Sequence, residues 1–230
     1  MLKDLDDLGE LYHDFSIFGA KNRQLPGIYY LNQRCKAPII NAYIQLAIAK
    51  SKKKMDDEVT FTELFCADGY YAMVARLFGA SKSYGIDNNR DGFFSKAKSI
   101  AERLGLTNIE FIEEDVNNID RLERTDIVAN VGGLYHIENP RQILIKSYNI
   151  SKKYLIVQTV VSMVNELPDY FETPAPGWTW GSRFNKVSFH NLITDLGYKV
   201  LDCHFNELEG NKRIEDRGSI YYLIEVKPSL

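Results

Sequence analysis

The feature that most constrains this chain is a regular alternation of apolar strand-like segments with amphipathic helical segments, which begins at residue 59. Strands are predicted where β-branched and aromatic residues run together, and helices where apolar residues recur every three or four positions. The predicted strands are residues 59–65, 82–86, 109–112, 126–131 and 154–161. Such alternation predicts parallel strands joined by right-handed helical crossovers.

The chain beyond residue 161 leaves this pattern. After one more helix, which ends at Gly197, two strands are predicted at residues 199–205 and 220–226, and a polar stretch joins them. Two consecutive strands with a polar connection predict an antiparallel pair at one edge of the sheet. The predicted fold is therefore α/β, with a doubly wound, seven-stranded, mostly parallel sheet and an antiparallel C-terminal hairpin.

Residues 1–58 lie outside the alternation and are predicted to form an N-terminal helical cap. They contain a helical pattern over residues 36–54, preceded by a stretch at 11–34 that is rich in aromatic residues, glycine and proline. We expect this cap to cover one edge of the sheet and the site there. The predicted organisation is thus a cap segment at 1–58 and a ligand-binding domain at 59–230.

The composition argues against several classes of protein. A chain of 230 residues with 45% hydrophobic residues can bury a core without disulfides, and its three scattered cysteines offer no disulfide framework. The net charge of −3 gives no bulk attraction for nucleic acid. The sequence shows neither a secretion signal nor an apolar run of about 20 residues. We therefore expect a cytoplasmic protein that does not bind a membrane.

Ligands of doubly wound sheets bind beyond the carboxyl ends of the strands, and polar segments follow the strands here. The first strand runs through Glu63 into a turn with Cys66, Asp68 and Gly69. Backbone N–H groups at such a helix N-terminus suit an anion, here an amino-acid carboxylate. After the second strand, the carboxylate of Asp87, followed by Asn88, can accept hydrogen bonds from both ribose hydroxyls.

The next two strands end in segments that suit the rest of a nucleoside-like ligand. Asp115 can accept from an adenine amino group, and Val116 offers an apolar surface to the ring. Asn130 and Gly132 follow the fourth strand, where glycine lets the chain pass close to a ligand. An aspartate after a strand is more often a helix cap, and Gly-Gly is more often a turn. The order of the four segments, each after its own strand, favours the cofactor interpretation.

Three stretches carry a family resemblance: CADGYYAMVARLFGASKSYGID from Cys66, DIVANVGGLYHIENP from Asp126, and FNKVSFHNLITDLGY from Phe184. They resemble the Rossmann-like class I S-adenosylmethionine-dependent methyltransferases. More narrowly, they resemble the family of the tRNA wobble-uridine carboxymethyltransferase and its relatives. The resemblance covers roughly the last three-quarters of the chain. It implies S-adenosylmethionine as the cofactor, leaves its carboxylated form open, and places the glycine segment near the methyl-bearing sulfonium.

One residue departs from the family pattern. The first strand usually ends Asp-x-Gly-Cys, whereas Glu63-Leu64-Phe65-Cys66 places Phe65 at the first glycine position. A side chain there is expected to crowd the methionine part of the cofactor unless the loop is rearranged. A nicotinamide cofactor is the rival in this fold class. It ranks lower because the G-x-G-x-x-G that lets a pyrophosphate approach is absent.

His136 and Tyr135 are the candidate catalytic residues, because they follow the fourth strand where the site opens. Methyl transfer needs alignment and exclusion of water, and it needs a base only where the nucleophile loses a proton. His136 is the predicted base, and bracing of the loop is the alternative, at least as strongly weighted. No cluster of His, Cys and carboxylate residues has metal-ligand spacing, so no metal is predicted.

The long aromatic connection at residues 169–186 supplies the candidate substrate residues. Trp178 and Trp180 can stack on a planar ring, and Arg183 can hold a carboxylate or phosphate. The alternative is a lid that packs against the cap.

The predicted function is methyl transfer to a small-molecule acceptor. The first alternative is methyl or carboxymethyl transfer to a tRNA wobble uridine. It needs a basic track, for which the sequence offers residues 50–54 with Arg183, Lys186, Lys212 and Arg213. The second alternative is a non-catalytic relative of the fold, which the unusual Phe65 supports. The sequence does not specify an oligomeric state.

Overall fold

The computed structural model describes residues 2–54 and 56–227, and its centre is a seven-stranded sheet. The strands are β1 (Thr60–Leu64), β2 (Lys82–Asp87), β3 (Ile109–Glu113), β4 (Thr125–Val131), β5 (Ser151–Val161), β6 (Lys199–Glu207) and β7 (Gly218–Glu225). Their spatial order is β6-β7-β5-β4-β1-β2-β3. Strands β1 to β5 pair in parallel, whereas β7 runs antiparallel to both β5 and β6. The predicted sheet and its C-terminal hairpin are therefore confirmed.

Helices cover both faces of this sheet. They are α1 (Tyr29–Ser51), α2 (Tyr70–Leu77), α3 (Phe94–Arg103), α4 (Pro140–Asn149) and α5 (Lys186–Asp195). Helices α1, α2 and α3 contribute to one apolar core, and α4 and α5 to another. Alternate residues of a strand serve the two cores: in β7, Tyr221 and Leu223 belong to the first, and Tyr222 and Ile224 to the second. This period of two is the side-chain alternation of a strand buried on both faces.

Helix α1 begins earlier than the sequence predicted, at Tyr29 rather than Lys36, and it contains Pro38. An internal proline lacks the N–H of one helical hydrogen bond and costs about 3 kcal/mol or more. Tertiary contacts offset that cost. The Gln33 side chain accepts from the backbone N–H of Asp14 at 2.8 Å and donates to its carbonyl at 3.0 Å. Helix α1 is thus a layer on the sheet as well as part of the predicted cap.

Helix α3 begins later than predicted, at Phe94 rather than Arg90. Asn89 and Gly92 have φ angles of 56° and 76°, and an α-helix cannot contain this left-handed conformation. Residues 88–93 therefore form a loop beyond β2, and part of this loop lines the site described below.

Residues 2–28 form the segment that we call the cap segment. Lys3–Asp4 pairs in parallel with Ala20–Lys21, and Leu5, Leu11 and Phe15 are fully buried in the core shared with α1 and α2. The segment is therefore anchored on that face of the sheet. The domain boundary at residue 58 stays a prediction.

Two findings bear on the function classes. Within residues 2–54 and 56–227, no helix has both the length and the apolar content needed to cross a bilayer. In the same part of the chain, His, Cys, Asp and Glu side chains form no group of three or more that could hold a metal ion.

Candidate active site

A cavity of about 260 Å³ lies at the carboxyl ends of β1, β2 and β4, beneath the cap segment. This is the edge of a doubly wound sheet where ligands bind. Of the residues predicted from the sequence, those that line the cavity are Glu63, Asp87, Asn88, Asp115, Val116, Gly132, His136 and Trp180. The structure thus brings together residues from all four predicted strand-end segments.

Three carboxylates define one side of the cavity, which we call the acidic side: Glu63, Asp87 and Asp115. The Oε2 atom of Glu63 accepts from the backbone N–H of Ala72 at 2.7 Å, in the first turn of α2. Burial raises the pKa of Glu63 well above its usual value and also raises that of Asp87. None of the three forms an ion pair with a residue in the described chain. The acidic side therefore suits a cationic ligand with several hydrogen-bond donors.

Asp87 also fixes the loops around it. Its Oδ2 atom accepts from the backbone N–H of Ala67 at 3.0 Å, and its Oδ1 atom accepts from that of Asn89 at 2.8 Å. Asp115 caps the short helix Val116–Arg121, because its Oδ1 atom accepts from the backbone N–H of Asn117 at 2.8 Å. The cap interpretation and the ligand interpretation of these aspartates are therefore compatible.

The turn after β1 is rearranged around Phe65, as the family pattern required. Phe65 and Ala67 have left-handed φ angles of 59° and 48°, which cost a non-glycine residue about 1–2 kcal/mol each. The Phe65 ring lines the cavity and lies against Gly133. A Cβ atom on residue 133 would stand 2.0 Å from that ring. The Phe65 ring therefore occupies space that is free because Gly133 has no side chain.

Asp68 holds the cap segment in place and does not line the cavity. It is fully buried, and its two oxygens accept from the backbone N–H of His13 at 2.9 Å and bond to its Nδ1 at 2.6 Å. The His13 ring also stacks on Tyr70, with centroids 4.7 Å apart. Both Asp68 oxygens bind the cap segment, so Asp68 anchors that segment, and its predicted contact with the cofactor stays a prediction.

The other predicted cofactor residues outside the cavity are Cys66, Gly69 and Asn130. The Cys66 thiol is buried beside Gly85. Gly69 is left-handed, at φ 80°, and the Phe111 ring leaves no room for a Cβ there. The Asn130 side chain donates to Ser147 Oγ at 2.9 Å inside the protein. These three residues shape the turn and the strands outside the cavity lining, and their predicted contacts with the cofactor stay predictions.

His136 and Trp180 form the opposite side of the cavity, with their rings stacked and their centroids 5.0 Å apart. The pKa of His136 is lowered to about 4, first because the surrounding protein desolvates it and then because Arg183, Arg90 and Lys36 place positive charge near it. The residue is still exposed, so the imidazole is accessible. It is neutral at physiological pH and can accept a proton.

Tyr135, Trp178 and Arg183 were predicted for chemistry or substrate binding and do not line the cavity. Arg183 is 4% exposed, and its Nη2 and Nε atoms donate to Asp216 Oδ1 at 2.6 and 2.9 Å. Its Nη1 atom donates to the Tyr135 carbonyl at 3.2 Å, and its guanidinium lies 5.1 Å from the Tyr135 ring. Trp178 is 43% exposed and lies beside Arg213. Arg183 therefore braces the loop that carries His136, instead of holding a substrate anion.

The comparison with known families decides the class of the protein. A family model described as a methyltransferase domain matches residues 55–202, which is more than half of the chain. The chain belongs to this methyltransferase family. The sequence-based identification of a class I, S-adenosylmethionine-dependent methyltransferase is confirmed at this level, and the narrower likeness to the tRNA wobble-uridine family is not shown. A search of curated proteins gave no match.

Solved structures share the fold of this methyltransferase at low sequence identity. The N-terminal domain of EvdMO1, crystallised in the presence of S-adenosylhomocysteine and D-fucose, has a TM-score of 0.64 at 16% identity, over 96% of this chain and 93% of that one. The magnesium protoporphyrin IX methyltransferase of Synechocystis PCC 6803, with bound S-adenosylhomocysteine, has 0.63 at 12%, over 93% of each chain. A putative methyltransferase of Bacillus halodurans C-125 has 0.58 at 13%, over 81% and 99%.

The methyltransferase cavity contains further residues that the sequence did not single out. Besides Phe65, they are Tyr12, His13, Lys36, Ala67, Tyr71, Arg90, Asp91, Val131 and Ile137. Tyr12 contacts Tyr29 of α1 and Phe93 of the loop after β2, with ring centroids 5.2 and 5.6 Å away. The only sequence signal for Tyr12 was its place in a stretch rich in aromatic residues. No sequence signal pointed to Lys36, because a lysine on an amphipathic helix is usually solvated.

Proposed function

We propose that this methyltransferase binds S-adenosylmethionine on the acidic side of the cavity and transfers its methyl group to a small-molecule acceptor beside His136. One observation carries the proposal: a cavity beneath the cap segment has three carboxylates that form no ion pair within residues 2–54 and 56–227, and an accessible neutral imidazole. The bound donor would supply an electrophilic methyl group on a sulfonium. Everything else follows from residues of this chain.

The acidic side fits the hydrogen-bond donors of S-adenosylmethionine. Asp87 would accept from the ribose hydroxyls, and Asp115 would accept from the adenine amino group above Val116. Glu63, close to the first turn of α2, would face the methionine part of the cofactor. Phe65 does not block that part of the site, since its ring occupies the space that Gly133 leaves free. This arrangement weakens the case for a non-catalytic relative.

His136 would receive the acceptor's proton if the nucleophile must lose one. Its neutral state at physiological pH makes it competent as a base, and its stacking on Trp180 fixes the ring plane. Tyr12, whose pKa burial raises well above its usual value, stays a neutral hydroxyl and can donate or accept a hydrogen bond. The chain thus aligns the acceptor and excludes water between the cap segment and the sheet.

A small molecule is favoured over tRNA because the predicted basic track does not form. Residues 50–54 include the C-terminal end of α1 and lie near the amino end of β5, where Lys52 approaches Gly79 and Lys153 bonds to Ser51. Arg183 is buried and paired with Asp216, and Arg213 also pairs with Asp216. Among the matched structures, the name of the Synechocystis enzyme states a small-molecule acceptor, magnesium protoporphyrin IX. A cytoplasmic location stays a prediction from the sequence.

The proposal is tested by following a labelled methyl group. The purified protein is incubated with a cell extract and S-adenosylmethionine that carries ¹⁴C in its methyl group, and the products are separated into small metabolites and RNA. We expect label in the small-metabolite fraction with the wild type and none with Glu63→Gln. Label confined to tRNA would overturn the small-molecule acceptor. Mass spectrometry of the co-purified nucleoside distinguishes S-adenosylmethionine from its carboxylated form.

A further inference from the structure

Two cations in the cavity have no carboxylate partner. Lys36 reaches the cavity from α1, and Arg90 reaches it from the loop after β2. Neither side chain forms an ion pair within the part of the chain that the structure describes. Arg90 lies 5.5 Å from the centroid of the Trp180 ring, which is a contact with an aromatic face and not with an anion.

Lys36 is the more unusual of the two because it is partly buried. Burial lowers the pKa of its amine to about 8, since an ammonium group that loses its hydration gains nothing in return when no anion lies beside it. A lysine on an amphipathic helix normally extends into solvent. A partly buried ammonium that faces a ligand cavity, and has no ion-pair partner in the described residues, is therefore suited to bind an anionic group of a ligand.

The cations and the carboxylates act on different sides of the cavity. Lys36 and Arg90 are among the charges that lower the pKa of His136. The charges that raise the pKa of Glu63 and Asp87 are instead carboxylates, Asp68 for both and Asp91 for Asp87. Arg90 lies against the Trp180 ring, which stacks on His136, so this cation is placed on the acceptor side of the cavity.

The charges that line the cavity favour a monoanion over a dianion. Lys36 and Arg90 line it, and so does Asp91, which follows Arg90 in the chain and contributes to the raised pKa of Asp87. Repulsion from Asp91 is smaller for a carboxylate than for a phosphate dianion.

We propose that Lys36 and Arg90 recognise a carboxylate group carried by the methyl acceptor. The inference rests on the proposed methyltransferase function and adds the chemical class of the acceptor. The Lys36 ammonium and the Arg90 guanidinium would donate to the carboxylate oxygens, so that the ring or chain bearing the nucleophile is held beside His136 and Trp180. Lys36 is then a specificity residue for the acceptor and has no part in holding the donor.

Binding of ring-matched probes tests this assignment. The protein is saturated with S-adenosylhomocysteine, and the affinities of benzoate, benzyl alcohol and phenyl phosphate are measured by ligand-observed NMR titration. We expect benzoate to bind at least about tenfold more tightly than benzyl alcohol, the effect of one charged hydrogen bond. Lys36→Met should abolish this preference, and Lys36→Arg should retain it. The matched control is Lys50→Met, at the exposed end of the same helix, which should change nothing.

Each contrary result has a distinct meaning. Equal or undetectable binding of benzoate and benzyl alcohol to the S-adenosylhomocysteine complex overturns the inference. So does tighter binding of phenyl phosphate than of benzoate. A Lys36→Met variant that loses affinity for S-adenosylhomocysteine, measured by calorimetry, would show that Lys36 holds the donor's own carboxylate. Failure of the wild-type protein to bind S-adenosylhomocysteine at all would refute the proposed function instead.

Discussion

Asp87 serves two purposes, because its carboxylate joins the loops after β1 and β2 and also faces the acidic side of the cavity. We expect Asp87→Ala to weaken S-adenosylhomocysteine binding by about 1–3 kcal/mol, since ribose hydroxyls would lose their acceptor. Calorimetry on the folded variant measures this loss. Asp195→Ala removes an exposed aspartate at the end of α5 and serves as the control. Unchanged affinity in a folded Asp87→Ala protein would remove Asp87 from the donor site.

His136 makes the pH dependence of the reaction informative. Its pKa of about 4 means that the ring is neutral above that pH and gains a proton below it, so a rate that needs the neutral base falls only as the pH drops through about 4. The ordinary value near 6.5 would place this acid limb more than two units higher. We expect a flat rate between pH 5 and 7, above the pKa of His136 and below the pKa of about 8 at which Lys36 loses its charge, measured with the acceptor recovered by methyl labelling.

Replacement of His136 distinguishes a role as a base from a role in stabilising the loop. If His136 is the base, His136→Gln should lower the maximal rate by about 10²–10⁴-fold and remove the acid limb. Loss of stability with an unchanged pH profile would assign the residue to the loop instead. Denaturant unfolding and the pH–rate profile, measured on the same preparation, give the two answers.

Phe65 and Gly133 are coupled by their shared space. Gly133→Ala alone should destabilise the protein by about 1–3 kcal/mol, because the new Cβ would collide with the Phe65 ring. In a Phe65→Ala background the same change should cost much less. Denaturant unfolding of the two single variants and the double variant measures the coupling, and additive effects would contradict it.

How far the sequence predicts single residues depends on what their side chains do elsewhere. The position in the cavity could be predicted for Asp87, Asp115, Val116 and Gly132, because strand ends meet at one edge of the sheet whatever the details of packing. The anchoring contact of Asp68 could not be predicted, because its partner His13 lies 55 positions away in the chain. The position of Lys36 in the cavity could not be predicted either, because the helix pattern describes the buried face of the helix and not its end near the cavity.

At the scale of elements, a buried polar contact between His13 and Asp68 holds the cap segment in addition to its apolar contacts. We expect Asp68→Ala to loosen residues 5–25, because it leaves the buried His13 N–H without an acceptor at a cost of about 1–3 kcal/mol. Hydrogen exchange of these amides should accelerate, and S-adenosylhomocysteine should dissociate faster. Asp6→Ala breaks an exposed ion pair of the same segment with Lys21 and should have little effect. Unchanged exchange in Asp68→Ala would show that the apolar contacts alone hold the segment.

The connection before α5 has two tryptophans with different surroundings. Trp180 lines the cavity and stacks on His136, whereas Trp178 is exposed beside Arg213. Trp180→Ala should therefore raise the acceptor KM and lower turnover while donor affinity stays nearly unchanged. Trp178→Ala is the matched control and should leave both close to wild type. Equal effects of the two variants would mean that the segment acts as one lid.

Sequence periodicity predicts the elements of this fold better than it predicts where they begin. Strands β1, β4, β5 and β7 were predictable because each supplies apolar residues to both cores, which leaves a pattern in the chain. The start of α1 was not, since Pro38 is an unfavourable helix residue that the Gln33 contacts with Asp14 outweigh. The start of α3 was missed because left-handed Asn89 depends on Asp87 accepting from its N–H.

At the scale of the whole molecule, the net charge of −3 conceals an ordered distribution. Carboxylates gather where a cationic donor would lie, and cations gather beside His136. The net charge of the chain says nothing about this distribution, because positive and negative charges within one cavity cancel when they are summed. The family match and the shared fold identify the reaction class, while the acceptor is a property of this charge distribution and of the cap segment that covers it.

The contact between Phe65 and Gly133 also restricts how this protein could have arisen and how it can change. The two positions lie 68 residues apart in a chain where no local pattern links them. A lineage with a side chain at position 133 would acquire the phenylalanine at 65 only at a cost in stability, because the ring and the new Cβ atom would clash. The order in which glycine comes first avoids that cost. Reversion follows the same rule, since a side chain at position 133 costs less once position 65 has become small.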